Sequence, residues 1–512
     1  MFLKYLIIEN TSGLVRRIDF HQGLNLIVDE TPSGNEETGN NVGKTTVLRL
    51  IDFCFGMDGS KIYSATEGTK VINEDVKNFL INTEVMITLC LTDGFSANAK
   101  DVIVRRNFLS GKRNLMEING QKVDKKSFET ELQKALWNVE TSKPSFRQII
   151  SHNFRYDEER LTQTLRTLNR YTSDVEYETL HLYLFGCNFD DGDRRQELDK
   201  KLKTDYKYKR RLEKTASKSA LRSKLAIVEG EIDELNKKKE ELHLNPDFEN
   251  DLEQLNKVKG SLSELAVKQS SLQLRHTLLP QIRDAISACN AEIASLRVKE
   301  RMLAERLQQS ASVEALDELV AQLNLKYQEK GSLEQRIAQI EEVEKAISLN
   351  EEILKDIASG LFSQSKQDLI QKQLDKFNHY YSAVSKRLYD ESYAIEFSLV
   401  KNREGKSCYK FAPFATDNFS TGKKQGEITC FDMAYIMFAD DEQIPCLHFI
   451  LNDRKELVHD NQLLQIGALA SEHIEIQYVA SILRDKLPAE LNQEQNIVLK
   501  LSQHSKLFRI EE

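Results

Sequence analysis

The stretch Thr38–Gly56, TGNNVGKTTVLRLIDFCFG, decides how the rest of the chain is read. It joins a glycine-containing loop to a run, TTVLRLIDFCF, whose apolar residues recur at helical spacing, and it follows an apolar strand, GLNLIVDE. A loop that holds phosphate needs backbone N–H groups aimed inward at a helix N-terminus, a lysine that reaches the outer phosphates and a hydroxyl for magnesium. Gly43, Lys44 and Thr45 supply the end of that pattern, Thr46 follows, and Asn40 stands three residues before Gly43. Thr38 occupies the place of the usual first glycine, and TPSGNEE lengthens the connection from the strand. A bare GKT is otherwise only a glycine at a helix start. The strand before it, Asn40 and the helix after it favour a nucleotide site, with ATP and Mg2+ as the expected cofactors.

One such site explains little of 512 residues, so the length implies several domains or a long extended element. With 40% hydrophobic and 29% charged residues and only 7 prolines, the composition is that of a chain with a large, poorly buried helical fraction. No run of 18 or more apolar residues occurs, and MFLKYLIIEN turns polar too soon for a signal peptide, so a soluble cytoplasmic protein with no membrane partner is expected. The 7 cysteines are scattered, without a CxxC pair or a histidine at metal-ligand spacing, which suits free thiols in a reducing compartment. A net charge of -9 argues against a globally basic nucleic-acid coat but allows a local basic patch.

From Arg194 to about Ile357 the composition shifts to Lys, Glu, Gln, Leu and Ser. Leu221, Leu225, Val228, Ile232, Leu235 and Leu242 follow a heptad seam with one slot taken by lysine; Ile282, Ile286, Cys289, Ile293, Leu296, Leu303 and Leu307 do the same with one taken by glutamate. So narrow a stripe packs helix on helix and predicts a coiled coil. The breakers at Pro246, Pro280 and Ser310 favour a hairpin folded on itself, with its apex near Pro280 or, alternatively, at Pro246. Two arms of roughly 80 residues would each reach about 120 Å.

Both ends of the chain read as mixed α/β. FLKYLIIEN, GLNLIVDE, MITLCL and DVIVRR are expected strands before the hairpin; SYAIEFSLV, CLHFILN and IEIQYVASIL are expected strands after it, with TCFDMAYIMFA as an apolar helix. The expected domains are therefore residues 1–193 and 358–512 as two halves of one composite head, with 194–357 as the antiparallel coiled coil.

A loop near the N-terminus, a central coiled coil and a C-terminal half together resemble the SMC-like ATPases, the superfamily of the structural-maintenance-of-chromosomes proteins and double-strand-break repair ATPases. The run GKTTVLRLIDFCFG is most similar to a bacterial branch that includes the SMC-like subunit of Lamassu anti-phage defence systems. The resemblance implies an ABC-type ATPase head and directs attention to three further features. FSTGKKQGEITCFDMAYIMF offers Ser420 and Gly422 for the signature motif that touches nucleotide held by a second subunit, although a polar turn capping a helix would look the same. CLHFILNDRKELVHD offers Asp453 as the magnesium-holding, catalytic aspartate of the Walker B strand, with Asp460 in the D-loop position seven residues on and Arg454 where a glutamate would polarise water. In the alternative register Asn452 and Asp453 fill the Asp and Glu positions; Asp460 favours the first, which implies slow hydrolysis or a base from elsewhere. Gln148 stands near the place of the magnesium-sensing glutamine, with His152 or Asn153 as alternatives, and Ser481 and Ile482 stand where transporter-type relatives carry a histidine.

Arg105, Arg106, Lys112 and Arg113, with neighbouring lysines 122, 125 and 126, form a basic cluster that suits DNA phosphates or, equally, a solvated strand turn; Lys207, Arg210 and Arg211 form a second. The resemblance further implies a homodimer closed by ATP between heads, DNA as a partner and, since the chain carries no nuclease motif, a separate nuclease or other effector subunit. Defence, repair by tethering DNA ends, and a coiled-coil scaffold with a degenerate site are the three functions that follow.

Overall fold

Strand β3 (Gly23–Asp29), the strand that leads into the loop, is buried along its whole length. Apolar residues on both faces suit the interior of a parallel sheet covered on both sides. The computed structural model describes residues 1–31, 42–64, 72–189, 191–241, 246–275, 281–307, 313–402, 405–415, 424–453 and 460–510.

In the sheet, β3 pairs in parallel with two strands from the other end of the chain, β12 (Gln477–Leu483) and β13 (Ile497–Leu501). On the far side of β12 lies β11 (Phe449–Asp453), and beyond it β8 (Phe154–Arg155), giving the order β13-β3-β12-β11-β8. An N-terminal strand thus sits between two C-terminal ones, so neither half completes the sheet without the other.

A second, antiparallel sheet has the order β2-β1-β4-β5-β6-β7, from β1 (Phe2–Asn10), β2 (Gly13–Asp19), β4 (Met86–Thr92), β5 (Asp101–Asn107), β6 (Met116–Ile118) and β7 (Gln121–Lys122). Among the described residues β9 (Tyr393–Lys401) and β10 (Ser407–Ala415) pair only with each other. The two larger sheets are joined by Gln477, whose buried amide donates to Leu3 O and His21 O at 2.9 Å while its oxygen accepts from Leu3 N at 2.8 Å. One hydrophobic cluster runs from Met1 to Phe508 through both halves and contains the helix Lys44–Cys54 and the apolar helix Lys424–Asp441. The head unit comprises Met1–Gln196 and Ser359–Glu512. The expected arrangement, an α/β head built from both chain ends with an inserted antiparallel coiled coil, is the one observed.

The inserted unit, Glu197–Ala358, is helical. Helices Lys218–Glu240, Pro246–Arg275, Gln281–Leu307 and Val313–Leu361 account for most of it. Leu221, Val228 and Ile232 of the first arm pack with Leu323, Leu333, Ile337 and Ile340 of the second. Ion pairs flank this seam: Arg222 with Glu341 at 2.6 Å, Lys330 with Glu229 at 2.9 Å and Lys259 with Glu300 at 3.8 Å, while Gln269 bonds Asn290. Each of these pairs straddles the same point of the chain, near residues 279–282, as an antiparallel hairpin requires. Pro246 opens a helix within the first arm, as suits a residue with no N–H to donate, and so is not the turn. Residues 276–280, with Pro280, lie outside the described residues.

No helix among the described residues is long and apolar enough to cross a membrane. All seven cysteines are free and buried, and burial pushes the Cys54 thiol up to about 12, which makes it inert at neutral pH.

Candidate nucleotide site

The parallel order of β3, β12, β11 and β8 delivers their C-terminal ends to one edge of the sheet, where ligands of open α/β sheets sit. β3 ends in Asp29, β11 ends in Asp453, and the helix Lys44–Cys54 begins at the same edge.

Gly43 is the N-cap of that helix, at φ 102°, a left-handed conformation that favours glycine. A Cβ there would also stand 2.7 Å from Leu507 Cβ. The segment that approaches so closely is held in place: Leu507 N donates to Val42 O at 3.1 Å, and the guanidinium of Arg16 on β2 binds Ser505 Oγ and Lys506 O at 2.8 and 2.9 Å. The glycine is therefore fixed by conformation and by the packing of a distant segment on the loop.

Thr45 Oγ1 donates to Asp453 Oδ2 at 2.7 Å, across 408 residues of chain. The other oxygen of Asp453 accepts from the Ser481 hydroxyl on β12, its register partner. Asn452 Oδ1 is buried and has no hydrogen-bond partner among the described residues. Asp453, which fills the Asp position in one expected register and the Glu position in the other, is the residue of this strand whose side chain meets Thr45. Lys44 Nζ donates to Asp29 Oδ2 at 2.9 Å, with the Asp29 side chain fully buried and that of Lys44 15% exposed. Gly43, Lys44, Thr45 and Thr46 are half-buried.

Several expected site residues lie elsewhere or outside the described residues. Asn40, Ser420, Gly422 and Arg454 fall outside them, and Asp460 begins the helix Asp460–Glu472. Gln148 is used as a helix cap, since its Oε1 accepts from Ser145 N at 2.8 Å in a capping box. The alternatives to it are structural too. Asn153 Nδ2 donates to Leu447 O and Phe449 O at 3.2 and 2.8 Å, and His152 lies edge-on to Tyr435 at 4.5 Å with burial pushing its imidazole down to about 3. The residues that leave the sheet edge beside β11 are Tyr156 and Asp157, directly after β8; they were missed because a two-residue strand has no periodicity to read.

Arg106 is the clearest correction. It is 6% exposed, stacks over the Phe53 ring at 4.0 Å and donates to Phe53 O and Met57 O at the end of the loop helix, so it is a capping group and not a DNA contact. Burial lowers its pKa to about 10, still well above neutrality. On the same strand Arg105 pairs with Glu117 at 3.2 Å and keeps 42% of its side chain exposed; Arg113 is 71% exposed and 3.4 Å from Glu84, and Lys112 lies exposed in the same turn.

The loop helix is also tied to the apolar helix through β8. Asp52, buried in the loop helix, accepts from Arg147 and from the Tyr156 hydroxyl; burial alone would raise its pKa, and the Arg147 charge holds it below the usual carboxylate range. The neighbouring Arg155 grips Asp432 of the apolar helix through two bonds, of 2.8 and 2.7 Å, and also donates to the carbonyls of Arg160, Gln163 and Thr164.

The family model described as "Uncharacterised protein conserved in bacteria (DUF2326)" matches residues 384–512. No curated protein matches the chain. Among solved structures, the chain is similar to the Smc head domain with an extended coiled coil from Pyrococcus furiosus, bound there to the C-terminal domain of ScpA, at 14% identity and a TM-score of 0.41 over 95% of this chain and 90% of that one. It is similar to the Smc head domain with a coiled coil and joint from Pyrococcus yayanosii at 14% identity and a TM-score of 0.38, covering 94% and 92%. The recombination mediator protein RecF with ATP matches at 12% identity and a TM-score of 0.34, covering 94% of each chain. At these scores the likenesses lend no weight to a functional reading.

Proposed function

We propose that the chain is an SMC-like, ABC-type ATP-binding protein that senses or clamps DNA and controls an associated effector, a nuclease in the first instance, in anti-phage or anti-plasmid defence. The observation that carries the nucleotide part is the Thr45–Asp453 contact, a hydroxyl and a carboxylate brought together from opposite ends of the chain beside a lysine and a left-handed glycine. That donor set fits a magnesium nucleotide: the left-handed Gly43 opens the helix whose N-terminus would face phosphate, Lys44 supplies the cation, and Thr45 with Asp453 would hold the metal. Magnesium would neutralise phosphate charge and polarise the bond to be broken. Ser481 keeps one oxygen of Asp453 engaged and so aims the other at Thr45.

Where a glutamate would polarise water, Arg454 follows Asp453, and an arginine cannot act as a base at neutral pH. Hydrolysis is accordingly slow or takes its base from elsewhere. In a homodimer, Ser420 and Gly422 of one chain would face Lys44 and Thr45 of another, and contacts made only in the closed dimer would shift it toward closure. Arg105, Lys112 and Arg113 remain the surface candidates for DNA phosphates. The second reading is a scaffold with a structural nucleotide site, favoured by Arg454; end tethering in repair is the third.

Calorimetric titration of the full chain with ATP and Mg2+ tests the centre of the proposal. Binding that is lost in Lys44→Ala supports it, and no binding by the unmodified chain sinks it. ATP-dependent dimerisation that survives Lys44→Ala would favour the scaffold, linear DNA that stimulates hydrolysis would favour the DNA-sensing reading, and a nuclease gene beside this one would separate defence from repair.

A further inference from the structure

We propose that Asp29 is a latch on Lys44, a buried carboxylate that competes with phosphate for the lysine and so sets nucleotide affinity. The inference rests on the reading of this sheet edge as a nucleotide site.

Asp29 ends a strand that is otherwise wholly apolar but for Asn25. Its register partners are Leu483 on one side and Leu501 on the other, and Glu30 N donates to Leu501 O at 2.7 Å, so the backbone here is held from both sides. The carboxylate has no solvent exposure; Oδ1 accepts from Thr31 N at 2.9 Å and Oδ2 from Lys44 Nζ at 2.9 Å. A charge in such a place is tolerated only when paired and hydrogen-bonded. Among the described residues Lys44 is its one cationic partner.

A lysine that serves a phosphate loop reaches past the helix N-terminus toward the outer phosphates. Here it turns back instead to the end of β3. If Lys44 moved wholly to phosphate, Asp29 would keep, among the described residues, the Thr31 N donor and lose its counter-charge, so the cost of abandoning it is subtracted from the gain of binding. The competing possibility is that Asp29 only positions Lys44, and the two make opposite predictions for a neutral residue at this place.

The test is equilibrium binding of ATP with Mg2+ to the full chain and to Asp29→Asn, which keeps an acceptor for Thr31 N and removes the charge. The latch predicts a Kd lower by about tenfold in the variant. Equal or weaker binding overturns the latch and leaves the nucleotide site standing; binding by neither protein overturns both. Asp29→Ser replaces Asp29→Asn if the latter does not fold. A second readout needs no nucleotide: Lys44→Ala strands the Asp29 charge and lowers the melting temperature, and adding Asp29→Asn restores much of the loss. Strictly additive shifts would show that the two residues are uncoupled and would remove the basis of the proposal.

Discussion

In the head, Arg155 and Asp432 meet at 2.7 Å with neither side chain exposed to solvent. In the hairpin, Arg222 and Glu341 meet at 2.6 Å with 61% and 36% of their side chains exposed. The geometry is alike and the energetics are not. A buried pair is anchored by further bonds, here three backbone carbonyls on Arg155, and losing one partner leaves an uncompensated charge. An exposed pair is screened and held by flexible side chains, so it selects register and partner more than it stabilises. The same contrast holds for apolar packing. The head has one continuous core drawn from both chain ends, while the hairpin has small clusters such as Leu255, Leu316 and Val320 strung along a seam.

The sharpest way to break this comparison is Asp432→Ala, which strands Arg155 between β8 and the apolar helix. It should cost about 3–5 kcal/mol in urea unfolding of the head. A loss no larger than that of a surface substitution would mean that water reaches the pair. In the seam, Leu323→Ala should cost about 2–4 kcal/mol, at the lower end if the two arms close over the hole, read as helix melting by circular dichroism. A cost above that of Asp432→Ala would reverse the ranking of the two regions.

Acid should act on the head first. Burial pushes His152 down to about 3 and His181 down to about 4, below their value in the unfolded chain. The unfolded state therefore binds more protons in acid, so this stability is present above about pH 6.5 and is lost as pH falls toward the folded values. Between about pH 7 and pH 4.5 the loss should be about 2–3 kcal/mol for each ring, and His152→Phe should flatten the slope. A pH-independent midpoint would contradict the burial of these rings. The smallest effect belongs to the hairpin surface: the double-mutant coupling of Arg222 with Glu341 should be barely measurable at low salt and vanish at high salt. A coupling that survives high salt would show that this seam shields its charges as the head does.

Much of the fold was legible in sequence because it rests on periodicity. The strands Phe2–Asn10, Gly23–Asp29, Met86–Thr92 and Asp101–Asn107, the apolar helix and the heptad seam all carry enough apolar residues at period 2 or 3.6 to be read locally. β8 has two residues and β13 five, and both exist as strands through their neighbours in the sheet, which no local pattern reports. The site divides in the same way. Gly43, Lys44 and Thr45 are adjacent in sequence and Asp453 ends an apolar run, so the motif and the strand could both be found. Arg106 was legible only in part: it shares the period-2 face of Val102 and Val104, but that carbonyls of the loop helix take up its charge is a tertiary contact.

By itself the sequence determined the composition of the hairpin, the loop with its lysine and hydroxyl, and the presence of two α/β ends that need each other, since apolar periodicity and glycine placement are local properties. Only the tertiary structure decided that β3 inserts between β12 and β13, that Thr45 meets Asp453 and Ser481, and that Asp29 holds Lys44. Those are contacts across sheet edges, fixed by parallel register, and a charge becomes a latch or a liability only once the surrounding strands have removed the water from it.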